Sequence, residues 1–374
     1  MGRQRKHYNK VKRAMMVFWA IFFAVLLSSC EESLLGHISI PNAPQTEPSV
    51  TESDISAAGE ASVSKNLFEY ELAEEGDGVY ITKYTGDDET VAIPSLIEGL
   101  PVVSIRGITG KEGIIVEGAF ESSNLKVVII PECVESIEYK AFTECQSLTE
   151  VVLFSDSKLQ FIGREAFKGC SALEKFDLSL SQIKRLDYAA FEGCASLREL
   201  AFPKSLAFIG ENAFSGCSSL VELRFPDYIE IETGAFAHCT SLKKVTIPKN
   251  FRTEQYTAPM IFFDIPSLEQ VVFEEGVERI SGVFKFSSDV EVLIPKSVNY
   301  FSCFDISDEK EGLTITLKFL GDCPQTFWRP NDSSESRATY SIYYNPDAKG
   351  WDNFRWKDQF QLIPMDEDVL DDAF

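Results

Sequence analysis

The pair Ala-Phe recurs at nearly constant spacing: Ala119-Phe120, Ala141-Phe142, Ala166-Phe167, Ala190-Phe191, Ala213-Phe214 and Ala235-Phe236 follow one another at intervals of 22, 25, 24, 23 and 22 residues. A period of this length dictates a fold made of one small unit stacked on itself, because so short a unit cannot bury its own apolar face without neighbours. Five copies place Cys three residues after Phe (Cys145, Cys170, Cys194, Cys217, Cys239) and Leu six after it (Leu148, Leu173, Leu197, Leu220, Leu242). Apolar residues then stand at the third and fifth positions after Leu, as in Val151 and Leu153 or Leu223 and Phe225. Alternation at period two marks a half-buried strand, and the prolines that close several units (Pro203, Pro226, Pro248) stop it by withholding an N–H. A second apolar pair, such as Leu159 and Ile162 or Leu206 and Ile209, leads back to the next Ala-Phe. Each unit therefore reads as one coil of a solenoid: strand, turn, short apolar segment, turn.

The segment LAFIGENAFSGCSSLVELRFP, Leu206 to Pro226, resembles the repeat of the bacterial BspA-type leucine-rich repeat family nearly throughout. That unit of about 23 residues carries I-x-x-I-x-x-x-A-F-x-x-C-x-x-L and a strand ending in I-P. The resemblance is strong from about Gly118 to Pro248. Downstream, IFFDIPSLEQVVF (Ile261 to Phe273) keeps the frame with Ile261 for Ala and Ile265 for Cys, and VEVLIPKSV (Val290 to Val298) keeps only the strand and Pro. Upstream, ETVAIPSLIEGLPVVSI (Glu89 to Ile105) looks like the opening coil. The resemblance implies a mainly β, right-handed leucine-rich-repeat superhelix. Its ends need caps. Residues 67–118 supply one, beginning with a hairpin about the Gly-Asp-Gly of Gly76 to Gly78, and residues 317–374 supply the other, an aromatic cap with an acidic tail; the solenoid occupies 119–316.

The row of cysteines invites a metal or redox reading, and geometry opposes it. Side chains at one repeat position form a ladder with rungs about 4.8 Å apart. One column of parallel thiols cannot wrap a tetrahedral metal, and parallel Cβ vectors near 5 Å apart suit a disulfide poorly. Phe142, Phe167, Phe191, Phe214 and Phe236, with Cys145, Cys170, Cys194, Cys217 and Cys239, are thus expected to be a structural ladder in which Cys is a small buried hydrophobe at the corner and Ala permits the tight turn. Cys133, Cys303 and Cys323 lie off the ladder and are not paired by the sequence.

The N-terminus carries a different cysteine. Residues 1–29 comprise a basic start (MGRQRKHYNKVKR), an apolar run from Ala14 to Leu27, and Ser28-Ser29 before Cys30. Fourteen apolar residues reach about 21 Å, short of the roughly 30 Å hydrocarbon core, so a secretory signal fits better than a membrane span. The ending Leu27-Ser28-Ser29-Cys30 resembles the lipobox of bacterial lipoproteins, which implies cleavage before Cys30 and its acylation. Glu31 and Glu32 look like the acidic tract that sends some Bacteroidetes-type lipoproteins to the outer surface. Residues 30–66, rich in Ser, Thr, Pro, Ala and Glu, lack the apolar residues to offset ordering and read as a flexible tether.

Charge and motif content narrow the function. Without the basic leader the chain holds 29 basic and 58 acidic residues, a formal charge of 29 − 58 = −29, which repels a phosphate backbone and argues against nucleic acid. Of the three histidines, His7 is in the leader, His37 in the tether, and His238 adjoins Cys239 at a turn where neighbours point apart. No G-x-S-x-G, H-E-x-x-H, EF-hand or Walker frame occurs, and acid pairs such as Asp87-Asp88 read as solvated turns; no catalytic residue, metal or cofactor is expected.

What remains is surface. The second and fourth residues after each Leu should point outward from one sheet: Glu150, Lys175, Glu199, Glu222, Lys244 and Gln270 in one column, Val152, Asp177, Ala201, Arg224, Thr246 and Val272 in the next. These columns follow no repeat rule while the inward ones do, so the candidate binding face comprises Glu150, Lys175, Asp177, Glu199, Glu222, Arg224, Lys244 and Thr246; an ordinary solvated sheet is the competing reading. The irregular stretch FRTEQYTAPMIFF, Phe251 to Phe263, interrupts the period as a second candidate or as packing. Members of the resembled family have been described as adhesins, which implies a lipid-anchored surface protein binding a protein or glycan, with an envelope scaffold or an accessory of polysaccharide or nutrient uptake as the alternative.

Overall fold

A computed structural model of the chain describes residues 67–109, 115–252, 260–280, 284–302, 305–306, 312–328, 338–355, 357 and 360–366. They belong to one compact unit, Glu52–Phe374. The leader, Cys30, the tether, Cys303 and the last residues of the acidic tail lie outside the described residues.

The described chain is a parallel β solenoid in which the only helices are single 3-10 turns, Leu178–Leu180 and Trp351–Asn353. The alternation after Leu makes a strand in most coils. The segment before Ala-Phe is also a strand, which the sequence reading missed: Ser136–Ile137, Phe161–Ile162, Arg185–Leu186 and Phe208–Ile209 pair in parallel, two residues each. They are short because a left-handed residue soon follows (Lys140, Glu165, Ala189, Asn212, φ 52–58°) and turns the chain out of the ladder. These strands belong to one sheet running from the N-terminal hairpin, Phe68–Leu72 against Val79–Tyr84, through Leu100–Ile105 to Asn250–Arg252. The edge strand of the hairpin bears Glu69 and Glu71, and the last strand at the other end, Gln361–Pro364, finishes on a proline. Both features discourage pairing with another chain.

The core between the sheets is an aromatic column. Rings of Tyr84, Phe120, Phe142, Phe167, Phe191, Phe214, Phe236, Phe262 and Phe284 stack with centroids 4.6–5.5 Å apart. Each ring stands beside a backbone bond joining the same two coils, as where Phe142 N–H donates to Ala166 O and Phe191 N–H to Ala213 O, both at 2.7 Å. The frame outruns the sequence reading at 290–298. Phe284 lies 22 residues after Phe262 and stacks on it at 4.6 Å, Ser287 takes the Cys place and buried Val290 the Leu place. Ile261, Phe262, Ile265 and Leu268 are buried in the places of Ala, Phe, Cys and Leu. The C-terminal cap ends the column with Phe319, Trp351 and Phe354, and the indole N–H of Trp351 donates to Gly321 O at 3.2 Å.

The ladder cysteines are free and fully buried, yet they do more than fill space. The thiol of Cys170 donates to Phe142 O at 3.1 Å, Cys194 to Phe167 O at 3.2 Å, Cys217 to Phe191 O at 3.3 Å and Cys239 to Phe214 O at 3.4 Å. Cys145 donates likewise to Phe120 O at 2.9 Å. The same carbonyls accept the N–H three residues on, as Phe142 O does from Cys145 N at 3.2 Å, so both lone pairs are used. Cysteine meets three demands at once: small volume, low polarity and one donor aimed at the preceding coil. The tight turn is carried by Ala189 (φ 52°) and Gly193 (φ 76°) rather than by Ala190, which is buried and whose carbonyl accepts from Phe167 N–H at 2.8 Å. Burial pushes the thiols of Cys170, Cys194, Cys217 and Cys239 up, the last to about 12. Cys145, at the end of the ladder, is shifted down instead, the neighbouring thiol of Cys170 outweighing its burial.

Emptying one rung of the column, Phe191→Ala, is expected to cost about 3–5 kcal/mol in urea unfolding, since rings on both sides lose their partner. The buried Ser287 Oγ has no hydrogen-bond partner among the described residues. Ser287→Cys lengthens the side chain towards the preceding coil and should gain about 1 kcal/mol, a rise of roughly 2 °C in Tm. Alkylation of the native chain should spare all five ladder thiols until denaturant is added; labelling of two or more would refute the buried ladder. A raised folded pKa means the folded chain keeps protons that the unfolded chain releases. This stabilisation is complete below about pH 8.5 and is lost as pH climbs towards about 12 for Cys239. The urea midpoint should therefore hold from pH 6 to 8 and fall from 9 to 11, with a shallower fall in Cys217→Ala.

Candidate interaction surface

The strands after Leu form two sheets. Thr90–Ala92, Val127–Ile129, Glu150–Val152 and Lys175–Phe176 make the first. The second runs over seven strands from Glu222–Arg224 to Gln361–Pro364. The expected single face is thus interrupted: the coil through Glu199 holds no strand on this face, and the strand before it is cut short at Asp177. Its carboxylate accepts from Ser179 N–H at 2.9 Å and Ser179 Oγ at 2.6 Å, capping the turn Leu178–Leu180 and ending the strand after two residues. Asp177 is therefore exposed as a cap instead of standing in the outward column. Glu199, one coil on, is exposed but lies in no strand.

Where strands persist, the column is in register. Glu150 stands opposite Lys175 in the first sheet. Glu222, Lys244, Gln270, Glu291, Thr316, Ser341 and Gln361 follow one another across the second. The neighbouring column holds Arg224, Thr246, Val272, Leu293 and Lys318. Thr246 departs from expectation, being 8% exposed between Arg224 and Val272 in the column. Arg224 reaches back to Glu222 at 3.0 Å, and Lys318 pairs with Glu291 at 2.7 Å. Such exposed pairs contribute little to stability, so their charges remain available to a partner.

Sequence reasoning placed no candidate on the other sheet, although arginine or an aromatic precedes the inward Ile in several coils. Ser136, Phe161, Arg185, Phe208, Glu230 and Arg252 form one outward column in register. The guanidinium of Arg185 lies 3.9 Å from the Phe208 ring centre and that of Arg252 5.1 Å from Tyr228. In the next column Arg164 lies 4.4 Å from Tyr188. The signal was a period-two alternation only two residues long, too short to read as a strand.

His238 faces away from the thiol beside it in sequence. Its Nδ1 lies 3.4 Å from Asp264 Oδ2 and its ring edge meets Phe263, while Cys239 points inward to Phe214 O. Asp88 accepts from the Tyr84 hydroxyl at 2.8 Å. Burial, ahead of that bond, raises Tyr84 to about 12. Cys133 and Cys323 are half-buried and free, and burial raises both. Among the described residues no group of three or more His, Cys, Asp or Glu could hold a metal ion. The arrangement offers ordered charge and aromatic faces.

Comparison with known proteins follows the same lines. None of the curated proteins compared matches the chain. Among solved structures it is similar to the Treponema pallidum leucine-rich repeat protein TpLRR, at 30% identity, TM-score 0.38, over 59% of this chain and 88% of that one. It is similar to a leucine-rich repeat protein from Bacteroides ovatus at 17% identity, TM-score 0.39, over 80% and 98% of the two chains. The pneumococcal vaccine antigen PcpA shares 16% identity, TM-score 0.37, over 82% and 94%. The profile of the BspA type leucine rich repeat region matches residues 113–230 and 184–304 in 6 copies. With the repeat frame, the parallel coils and that match over half its length, the chain belongs to the BspA-type leucine-rich repeat family.

Proposed function

We propose that the chain is an exported lipoprotein, anchored through Cys30, that displays its solenoid at the cell surface and binds a protein or glycan without turning it over. The observation that carries this reading is the outward column Glu222, Lys244, Gln270, Glu291, Thr316, Ser341 and Gln361, held in register over seven strands and varied in chemistry where the inward positions repeat. A rigid strip of this kind presents many polar groups at fixed rises of about 4.8 Å, so binding does not have to order the surface first. The leader and the lipobox-like Leu27-Ser28-Ser29-Cys30 support export and anchoring, and Glu31-Glu32 supports the outer face. A related structure from Faecalibacterium prausnitzii bears the description of a leucine rich cell surface protein.

Growth with labelled fatty acid should mark the chain, and Cys30→Ser should abolish the label. External protease on intact cells should cleave the native chain; protection would favour an envelope scaffold or uptake accessory facing the periplasm. Once a partner is captured by the full chain, Glu222→Lys with Glu291→Lys should weaken it about ten-fold at low salt, chiefly through the on-rate, and less at high salt.

A further inference from the structure

Among the described residues the ladder before Ala-Phe breaks once. In regular coils each strand's carbonyls accept from the next coil: Lys184 O from Ala207 N at 3.0 Å, Leu186 O from Gly210 N at 2.9 Å, Ala207 O from Glu230 N at 2.9 Å and Ile209 O from Glu232 N at 3.0 Å. Beyond the break the pattern resumes, with Glu278 O accepting from Asn299 N at 3.0 Å and Tyr300 N at 3.2 Å. Between them, Asn250–Arg252 ends one sheet and Arg279–Ile280 begins another. By register Phe251 O should receive the N–H groups of Glu278 and Arg279, and no such bond joins them.

The two coils have not simply come apart. Ile247 still pairs with Phe273, and Glu274 N–H donates to Ile247 O at 2.9 Å. Gly276 still lies against Lys249, where an added Cβ would stand 3.0 Å from Lys249 Cβ. From there the coils diverge around a cavity of about 450 Å³ with Phe251, Phe273 and Val277 on its apolar side and Lys249, Glu278 and Arg279 at its rim. The break coincides with the longest step of the repeat, 26 residues from Phe236 to Phe262.

We propose that this cleft takes an extended acidic peptide segment of a partner protein, which enters as a guest strand, donating to Phe251 O and accepting from Glu278 and Arg279 N–H. Unpaired strand edges are the usual template for such addition, and a strand rises about 3.3 Å per residue, so three or four residues span the slot. Acidic character follows from charge. Lys249 and Arg279 line the cleft with no carboxylate partner among the described residues, Arg279 lying instead over Tyr300; with Glu278 the one acid among the lining residues, the cleft is net basic in a chain of net charge −23. Apolar side chains on alternate positions of the guest would face Phe251 and Val277.

This inference rests on the binding reading above and adds to it a second place, on the other side of the solenoid, with its own partner chemistry. Its test uses the purified full chain and a capped, fluorescent eight-residue peptide alternating glutamate and valine. Anisotropy should show saturable binding with Kd of about 10–100 μM. Methylating every second backbone nitrogen of the peptide, or replacing its glutamates with lysines, should weaken binding at least ten-fold. Lys249→Glu with Arg279→Glu should do the same with Tm unchanged. Independently of any variant, hydrogen exchange at the Glu278 and Arg279 amides should be fast in the free chain and slow in the complex. No saturation at 1 mM peptide, equal binding of the methylated peptide, or amides already protected in the free chain would each overturn the proposal. A protease-protected chain that binds the peptide retains this site and loses surface display, and an exposed chain that ignores the peptide does the reverse.

Discussion

The phenylalanine of each repeat is the point through which neighbouring coils are joined. Its ring stacks on the rings before and after it, its N–H donates to the next coil, and its carbonyl accepts both its own turn and the next coil's thiol. Three different bonds thus meet at one residue, and the two sheets are held in register because that residue is. Stability in such a stack is a sum of nearest-neighbour terms, so a single faulty rung weakens two interfaces without dissolving the rest. The caps follow from the same constraint. Tyr84 in the hairpin supplies a last ring at one end, and Phe319 with Trp351 closes the other.

Uniformity inside leaves the outside free to vary. Because burial and backbone pairing use only the inward columns, outward residues alter charge and shape at little cost to the fold. The Asp177 cap shows how a polar side chain can reshape the face, its carboxylate holding a turn where the strand ends. On the other side, the lengthened step after Phe236 coincides with the place where Asn250–Arg252 and Arg279–Ile280 fall in different sheets. Departures from the period, rather than the period itself, therefore distinguish one stretch of surface from another.

Much of the architecture was legible in the chain because Phe, Cys and Leu recur at positions whose environments are identical. The buried state of Cys145 through Cys239 followed from that alone, whereas their donation to the preceding Phe carbonyl did not, since it depends on the direction of the Cβ vector relative to a backbone oxygen 25–28 residues earlier. The coil at Phe284 was hidden by Ser287 and Val290 standing for Cys and Leu, substitutions that keep volume roughly while erasing the letters. The two-residue strands were hidden because alternation needs several residues to declare itself.

On the surface the division is sharper. Glu150, Lys175, Glu222, Arg224 and Lys244 stand in the strand register that counting from Leu gives, whereas the burial of Thr246 is set by packing between coils and is not legible in that count. By itself the sequence determined the repeat, the inward columns and the acidic character. Only the tertiary structure decided where strands pair and where they part. Those outcomes depend on contacts between coils more than twenty residues apart, where one cap or a few added residues override local preference.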